Sequence, residues 1–205
     1  MPAVGALKGA AAAVFLRARM QTEWVIVAAS AATCLYAILI FNRLVGGRNQ
    51  VREGWSGIDV QLRRRADLIP NLVATVKTYA GHERGVIDEV TVQRRSALVA
   101  ADLATKAAAA RALQGSLGRL FAVAEAYPQL EADRNFQALQ GHLAEIEDQL
   151  QIARRYYNGT VRDFNVSIQS FPDVLIARAL GYREARFFEA DAATITVPTV
   201  RLAGA

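Results

Sequence analysis

Residues 24–41 read WVIVAASAATCLYAILIF, an apolar run without a charge that passes directly into a long, charged helical pattern. Eighteen helical residues rise ~27 Å, close to the thickness of a hydrocarbon core. Val25, Ile26, Val27, Leu35, Ile38, Leu39, Ile40 and Phe41 each favour insertion by roughly 0.3–0.6 kcal/mol near the bilayer centre, and Trp24 is an interfacial type of residue. Ser30 and Thr33 weaken the case little, because a helical hydroxyl can bond back to its own backbone. Two other readings compete. A buried core helix has this composition, and a signal peptide has this position. Against the second, the run is long and no good cleavage site follows it. Phe41-Asn42-Arg43-Leu44-Val45 carries the helix onward instead. The expectation is a membrane-spanning helix over 22–41.

Outward from the run, roughly 160 residues follow, enough for one domain with a core and too few for two. The chain has five prolines, and the composition of the soluble part favours helices. The net charge of +5 is spread among acidic residues, with its sharpest cluster at Arg63-Arg64-Arg65. Nucleic-acid binding needs a broader basic stripe or interleaved aromatics, so that class is set aside. Cys34 is the lone cysteine, which excludes a disulfide framework and a cysteine metal quartet. His82 and His142 lie far apart without the three or four ligands a zinc site needs. No serine, cysteine or lysine has a visible activating partner. No metal, cofactor, small-molecule substrate or catalytic residue is therefore expected.

Residues 1–21 form an alanine-rich extension with Lys8, Arg17 and Arg19, read either as a basic surface helix or as sequence ahead of a start at Met20. With the extension, basic residues flank both ends of the span. Starting at Met20, those near the span (Arg43, Arg48, Arg52) all follow it. The positive-inside rule then places the following domain in the cytoplasm, the preferred reading.

From Val51 the apolar spacing is helical: Val51, Trp55, Ile58, Leu62, Ala66, Ile69, Leu72 or Val73, Val76 and Tyr79 share one face. Pro70 predicts a kink. Gly81 predicts a left-handed cap, and Gly46-Gly47 a softened join. A second helix is expected over about 82–100, with Val86, Val90 and Leu98 inward. Asp102 suits the N-cap of a third helix, which buries Leu113, Leu117, Leu120, Ala124 and Tyr127 and stops before Pro128. A fourth keeps a 3-4 rhythm through Phe136, Leu139, Leu143, Ile146, Leu150, Ala153, Tyr157, Val161, Phe164, Ile168 and Phe171, as bundles do. Two long and two short helices with short connections imply an antiparallel, up-down four-helix bundle.

The short apolar segment Val174–Leu180, closed by Gly181, follows. With Leu175, Ile176 and Leu180 beside Arg178, it reads equally as a helix at the membrane interface and as a cap on the bundle core. The tail, 184–205, has an extended character. The expected architecture is all-α: an extension (1–21), a span (22–41), a bundle with a short terminal helix (42–183) and an irregular tail (184–205).

Several polar residues fall near the apolar stripes: Arg64, Arg65, Asp67, Asn71, Arg119, Glu125, Asn158, Arg162, Asp163 and Asn165. A buried charge is tolerated only when paired. They read as ion pairs and hydrogen bonds between helices, with a polar groove for a peptide or partner helix as the alternative.

Asn42-Arg43-Leu44-Val45, Arg48-Asn49-Gln50-Val51, Trp55-Ser56-Gly57-Ile58-Asp59-Val60-Gln61-Leu62-Arg63-Arg64-Arg65 and Asp67-Leu68-Ile69-Pro70-Asn71-Leu72-Val73 form long ordered motifs. So do Leu117-Gly118-Arg119-Leu120, Glu125-Ala126-Tyr127-Pro128, Arg154-Arg155-Tyr156-Tyr157-Asn158, Val161-Arg162-Asp163-Phe164-Asn165 and Phe188-Glu189-Ala190. Together they resemble the LemA family over about 22–191. The chain departs from the usual pattern at Gly46-Gly47, at Ala66 and in its long extension. The resemblance implies a single-pass protein of the bacterial inner membrane with an antiparallel four-helix bundle and no agreed catalytic activity. A magnetosome-membrane member points to membrane organisation through lipid and through a protein partner or self-association, hence a scaffold or interaction module. Neighbouring genes in the family suggest the alternative of an adaptor or regulator of a membrane protease or envelope-stress pathway.

Overall fold

A computed structural model describes the backbone of residues 3–188 and the side chains of residues 23–188. The side chains of the N-terminal extension and the tail beyond Phe188 lie outside the described residues. The fold is all-α, with six helices and no strand among the described residues. They are α1 (Ala3–Tyr79), α2 (Arg84–Val99), α3 (Leu103–Ala124), α4 (Pro128–Glu131), α5 (Arg134–Gln169) and α6 (Asp173–Ala179). The chain divides into two compact units.

The larger unit holds Asn49–Asn165 and the segment from Glu184. It is a helical bundle built around two apolar clusters. One draws Ile69, Leu72 and Val76 from α1, Ile87 and Val90 from α2, Leu113, Leu117 and Leu120 from α3, Leu130 from α4, and Phe136 and Leu143 from α5. The other joins Ile58 and Leu62 of α1, Ala107 and Ala110 of α3, and Leu150, Tyr157 and Val161 of α5 to Phe188 of the tail. Both follow the 3-4 stripes of the sequence, which give the bundle helices their apolar faces.

Helix ends follow from local chemistry. Asp102 caps α3, its carboxylate accepting from the backbone N–H groups of Ala104 and Thr105. Asp133 does the same for α5 through the N–H of Phe136 at 2.9 Å. These bonds hold both carboxyls below their ordinary value of 3.8: the Thr105 N–H is the main cause at Asp102, and the Phe136 N–H followed by the Tyr79 hydroxyl at Asp133. Gly54 lies at a tight approach of α1 and α5, since a Cβ there would stand 3.1 Å from the Tyr157 Cα.

α1 runs helical through Gly46-Gly47 and through Pro70, which ends no helix. Three expectations change. Gly81 has no positive φ; instead, an added Cβ would meet the Lys77 carbonyl at 3.1 Å, so space rather than conformation selects glycine. Leu98 is exposed, since the buried stripe of α2 follows Ile87, Val90 and Ala97, from which it is offset. Phe171 is 81% exposed because α5 ends at Gln169 and the 3-4 rhythm ends with it.

The smaller unit holds the chain up to Arg48 and Val166–Arg183. Among its described residues, Ile40, Leu44, Ile168 and Ala177 are the buried apolar ones. α6 ends in a Schellman cap: Gly181 takes φ +70°, Gly181 N–H donates to the Arg178 carbonyl at 3.1 Å, and Tyr182 N–H donates to the Ala177 carbonyl at 2.9 Å. The closed cap satisfies the last carbonyls of a helix only two turns long.

Candidate functional site

The smaller unit carries the most unusual surface. Trp24, Val25, Ile26, Val27, Leu35, Ile38, Leu39 and Phe41 are all exposed, and of the expected span residues only Ile40 is buried. Soluble proteins rarely expose so long an apolar surface. The hydroxyls inside it are satisfied locally. Ser30 donates to the Ile26 carbonyl at 2.8 Å and Thr33 to the Ala29 carbonyl at 2.9 Å. The segment thus has the length, composition and internal hydrogen bonding that a span requires.

α6 packs against the end of this surface. Leu175, Ile176, Ala179 and Leu180 face Ala37, Ile38 and Phe41 across an apolar groove of about 430 Å³. Leu175 is 61% exposed, Leu180 50%, Ile176 half-buried, and Arg178 exposed. α6 is tied down by Asp173, whose side chain is only 1% exposed and is paired with Arg43 of α1. Its other oxygen, Oδ1, is buried without a protein partner. The Arg48 guanidinium stacks over the Tyr182 ring at 5.8 Å.

The polar residues singled out by the sequence separate into three groups in the larger unit. Arg65 is buried and donates to Glu147 at 3.0 Å, with Arg154 on the other Glu147 oxygen at 3.8 Å. Burial lowers the Arg65 pKa from its ordinary value; Glu147 opposes that and Arg154 adds to it. Arg119 forms a two-pronged pair with Glu89, one prong at 3.0 Å, and Arg162 pairs with its neighbour Asp163 at 3.3 Å. Arg64, Asp67, Asn71 and Glu125 are exposed, and Arg64 and Asp67 line a shallow groove with His142 and Glu145.

Asn158 and Asn165 form the third group, with a role the helical pattern did not reveal. They hold the C-terminal segment. Asn165 exchanges two hydrogen bonds with the Ala185 backbone at 2.9 and 2.8 Å. Asn158 exchanges two with Phe188 at 3.1 and 2.8 Å. The spacing has a simple basis: seven helical residues rise ~10.5 Å and three extended residues ~10 Å. The Tyr157 hydroxyl donates to the Arg186 carbonyl between them at 2.8 Å. The buried Phe188 ring lies against Trp55, with the Arg154 guanidinium 5.2 Å above it. The signal available in the sequence was two amides two turns apart beside a polar tail. Beside this strap, a groove of about 720 Å³ is lined by Leu103, Ala107, Arg111, Asn165 and Glu184–Phe187. Its side chains offer charge and amide groups but no nucleophile with a base. Among the described residues no three histidine, cysteine or acidic side chains gather as metal ligands.

A family model for LemA matches residues 54–202. The chain belongs to the LemA family. The LemA match covers most of the bundle, α6 and the strap. Similar curated proteins are the magnetosome proteins MamQ 2 and MamQ 1 of Paramagnetospirillum magneticum, each 24% identical with 74% of this chain and 65% of the relative covered. Magnetosome protein MamQ of Magnetospirillum gryphiswaldense is 22% identical with the same coverage. The chain thus spans just under two thirds of the length of these relatives. Within the LemA motifs, Trp55, Tyr157, Asn158, Asn165 and Phe188 are the residues that assemble the strap.

Proposed function

We propose that this LemA-family chain is a membrane-anchored, non-enzymatic scaffold of the bacterial envelope whose bundle engages a protein partner or a second copy of itself. The observation that carries the proposal is α1. One continuous helix holds both an exposed apolar stretch long enough to cross a bilayer and one wall of the bundle. The same helix thus contributes to both the apolar stretch and the bundle. Arg43, Arg48 and Arg52 follow the span, which favours a cytoplasmic bundle at the inner membrane. The magnetosome relatives favour a role in membrane organisation over chemistry.

In this reading α6 lies in the membrane interface, with Leu175, Ile176 and Leu180 in the acyl boundary and Arg178 at the phosphates. The exposure of Phe171, Leu175 and Leu180 supports it, since a helix capping a core would bury them. The test uses the full chain with Cys34→Ser and a fluorophore on Leu175→Cys in vesicles. Quenching by brominated acyl chains is expected, and the absence of quenching refutes the interfacial placement. Extraction of cell membranes with alkaline carbonate tests the anchor: the protein should stay in the pellet, and its release would refute the span.

A further inference from the structure

The groove between α6 and the end of the span has a composition that selects a ligand. Its walls are apolar throughout: Ala37, Ile38 and Phe41 on one side, Leu175, Ile176, Ala179 and Leu180 on the other. The first wall is a 1, 2, 5 pattern on one helical face. The second is two rows four residues apart, 175 with 179 and 176 with 180, so each wall is a continuous strip. Asp173, at the start of the helix that forms the second wall, is buried and paired with the largely exposed Arg43 of α1. The α1 wall of the groove belongs to the exposed apolar run itself, with Ile38 55% and Phe41 44% exposed.

Charge completes the pattern. The described acidic residues of this unit are Glu23 and Asp173, and the basic ones are Arg43, Arg48, Arg178 and Arg183. Asp173 is engaged by Arg43. Glu23 lies twenty residues before Arg43, ~30 Å away along the helix. The end of the span that holds the groove is therefore basic, with Arg178 exposed on the helix that forms one wall.

We propose that this groove is a binding site for an acyl chain of an anionic membrane phospholipid, with the phosphate held by Arg178 and the exposed part of Arg43. The proposal rests on the membrane reading above and deepens it: α6 grips one lipid instead of merely resting on many. Lipid is the occupant because the α1 wall of the groove is the surface of the span itself. A protein segment would have to reach it through the bilayer.

The experiment uses the full-length protein in vesicles containing phosphatidylglycerol or phosphatidylcholine with a diazirine on the acyl chain, followed by peptide mapping. Phospholipid retained through detergent purification is measured in parallel by mass spectrometry. Label should concentrate on the peptides holding Ala37–Phe41 and Leu175–Leu180. Ala179→Trp, which fills the groove from an exposed position, should abolish the concentrated label and the retained lipid. Ala37→Trp fills it from the other wall and serves if the first variant loses helical circular dichroism. Arg178→Gln should lower the preference for phosphatidylglycerol by about fivefold, the change expected for one basic residue at an anionic surface. Label spread evenly along the span and unaffected by either tryptophan would overturn the proposal. Carbonate extraction separates the two readings. A protein that stays in the membrane but shows no concentrated label contradicts the groove alone, whereas a protein that is extracted contradicts the anchor as well.

Discussion

Asn158 and Asn165 show how much two amides can specify. Each side chain presents one donor and one acceptor to the backbone of the strap, as a neighbouring strand would. Asn158→Asp keeps the shape and removes the donor to the Phe188 carbonyl. It should cost about 1–3 kcal/mol and speed tryptic cleavage at Arg183 and Arg186. Unchanged unfolding and unchanged cleavage would contradict the clamp. Arg65 poses the opposite problem, a buried cation with one shared carboxylate. Glu147→Gln should destabilise by about 3 kcal/mol, because it leaves buried charge uncompensated, while Arg65→Met should cost less, since Glu147 keeps Arg154. The double variant should show coupling above about 1 kcal/mol in urea unfolding. Additive single effects would mean the pair is not an interacting unit. The sequence marked Arg65, Asn158 and Asn165 as polar groups beside apolar stripes. It could not assign their partners, because Glu147 lies on another helix and the strap has no periodicity to place it.

At the scale of elements, the apolar faces of the long helices and the Asp102 cap were legible, while the Gly81 cap and close approaches were not. The stripes of α1, α3 and α5 repeat every three or four residues, and the Asp102 cap has a standard local chemistry. Nothing local distinguishes Gly54 from Gly118. Yet a Cβ on Gly54 meets the Tyr157 backbone, and one on Gly118 meets nothing within 4 Å. Gly118→Ala should therefore stabilise by about 0.5–1 kcal/mol. Gly54→Ala should destabilise by about 1 kcal/mol, since overpacking at a backbone contact outweighs the helix gain. Thermal unfolding of the two variants in detergent micelles checks the opposed signs. The caps also make a pH prediction. Asp102 and Asp133 have depressed pKa values in the folded state, so their contribution is complete above the ordinary value of 3.8 and is lost as pH falls through the lower folded values. The urea midpoint should drop on acidification below about pH 4. The Asp102→Asn, Asp133→Asn double variant should show a shallower drop, and an identical acid profile would deny the caps that role.

For the whole molecule, a long apolar helix and a helical bundle were readable because each depends on composition and period alone. The position of α6 was not. A short apolar helix reads equally as a core cap or an interfacial anchor, and the exposure of Leu175 and Leu180 is what supports the interfacial proposal. The family contributes membership and magnetosome relatives, while the surfaces propose a scaffold that acts by contact. The most direct test is crosslinking of the native protein in intact cells, followed by mild solubilisation and mass spectrometry of the adducts. Discrete adducts, either a ladder of this chain or one enriched membrane protein, are the expected result. The ladder would identify a self-assembling scaffold, and a single partner such as a protease would identify an adaptor. A chain that remains monomeric and unlinked across a range of crosslinker lengths would contradict a scaffold that works through protein contact.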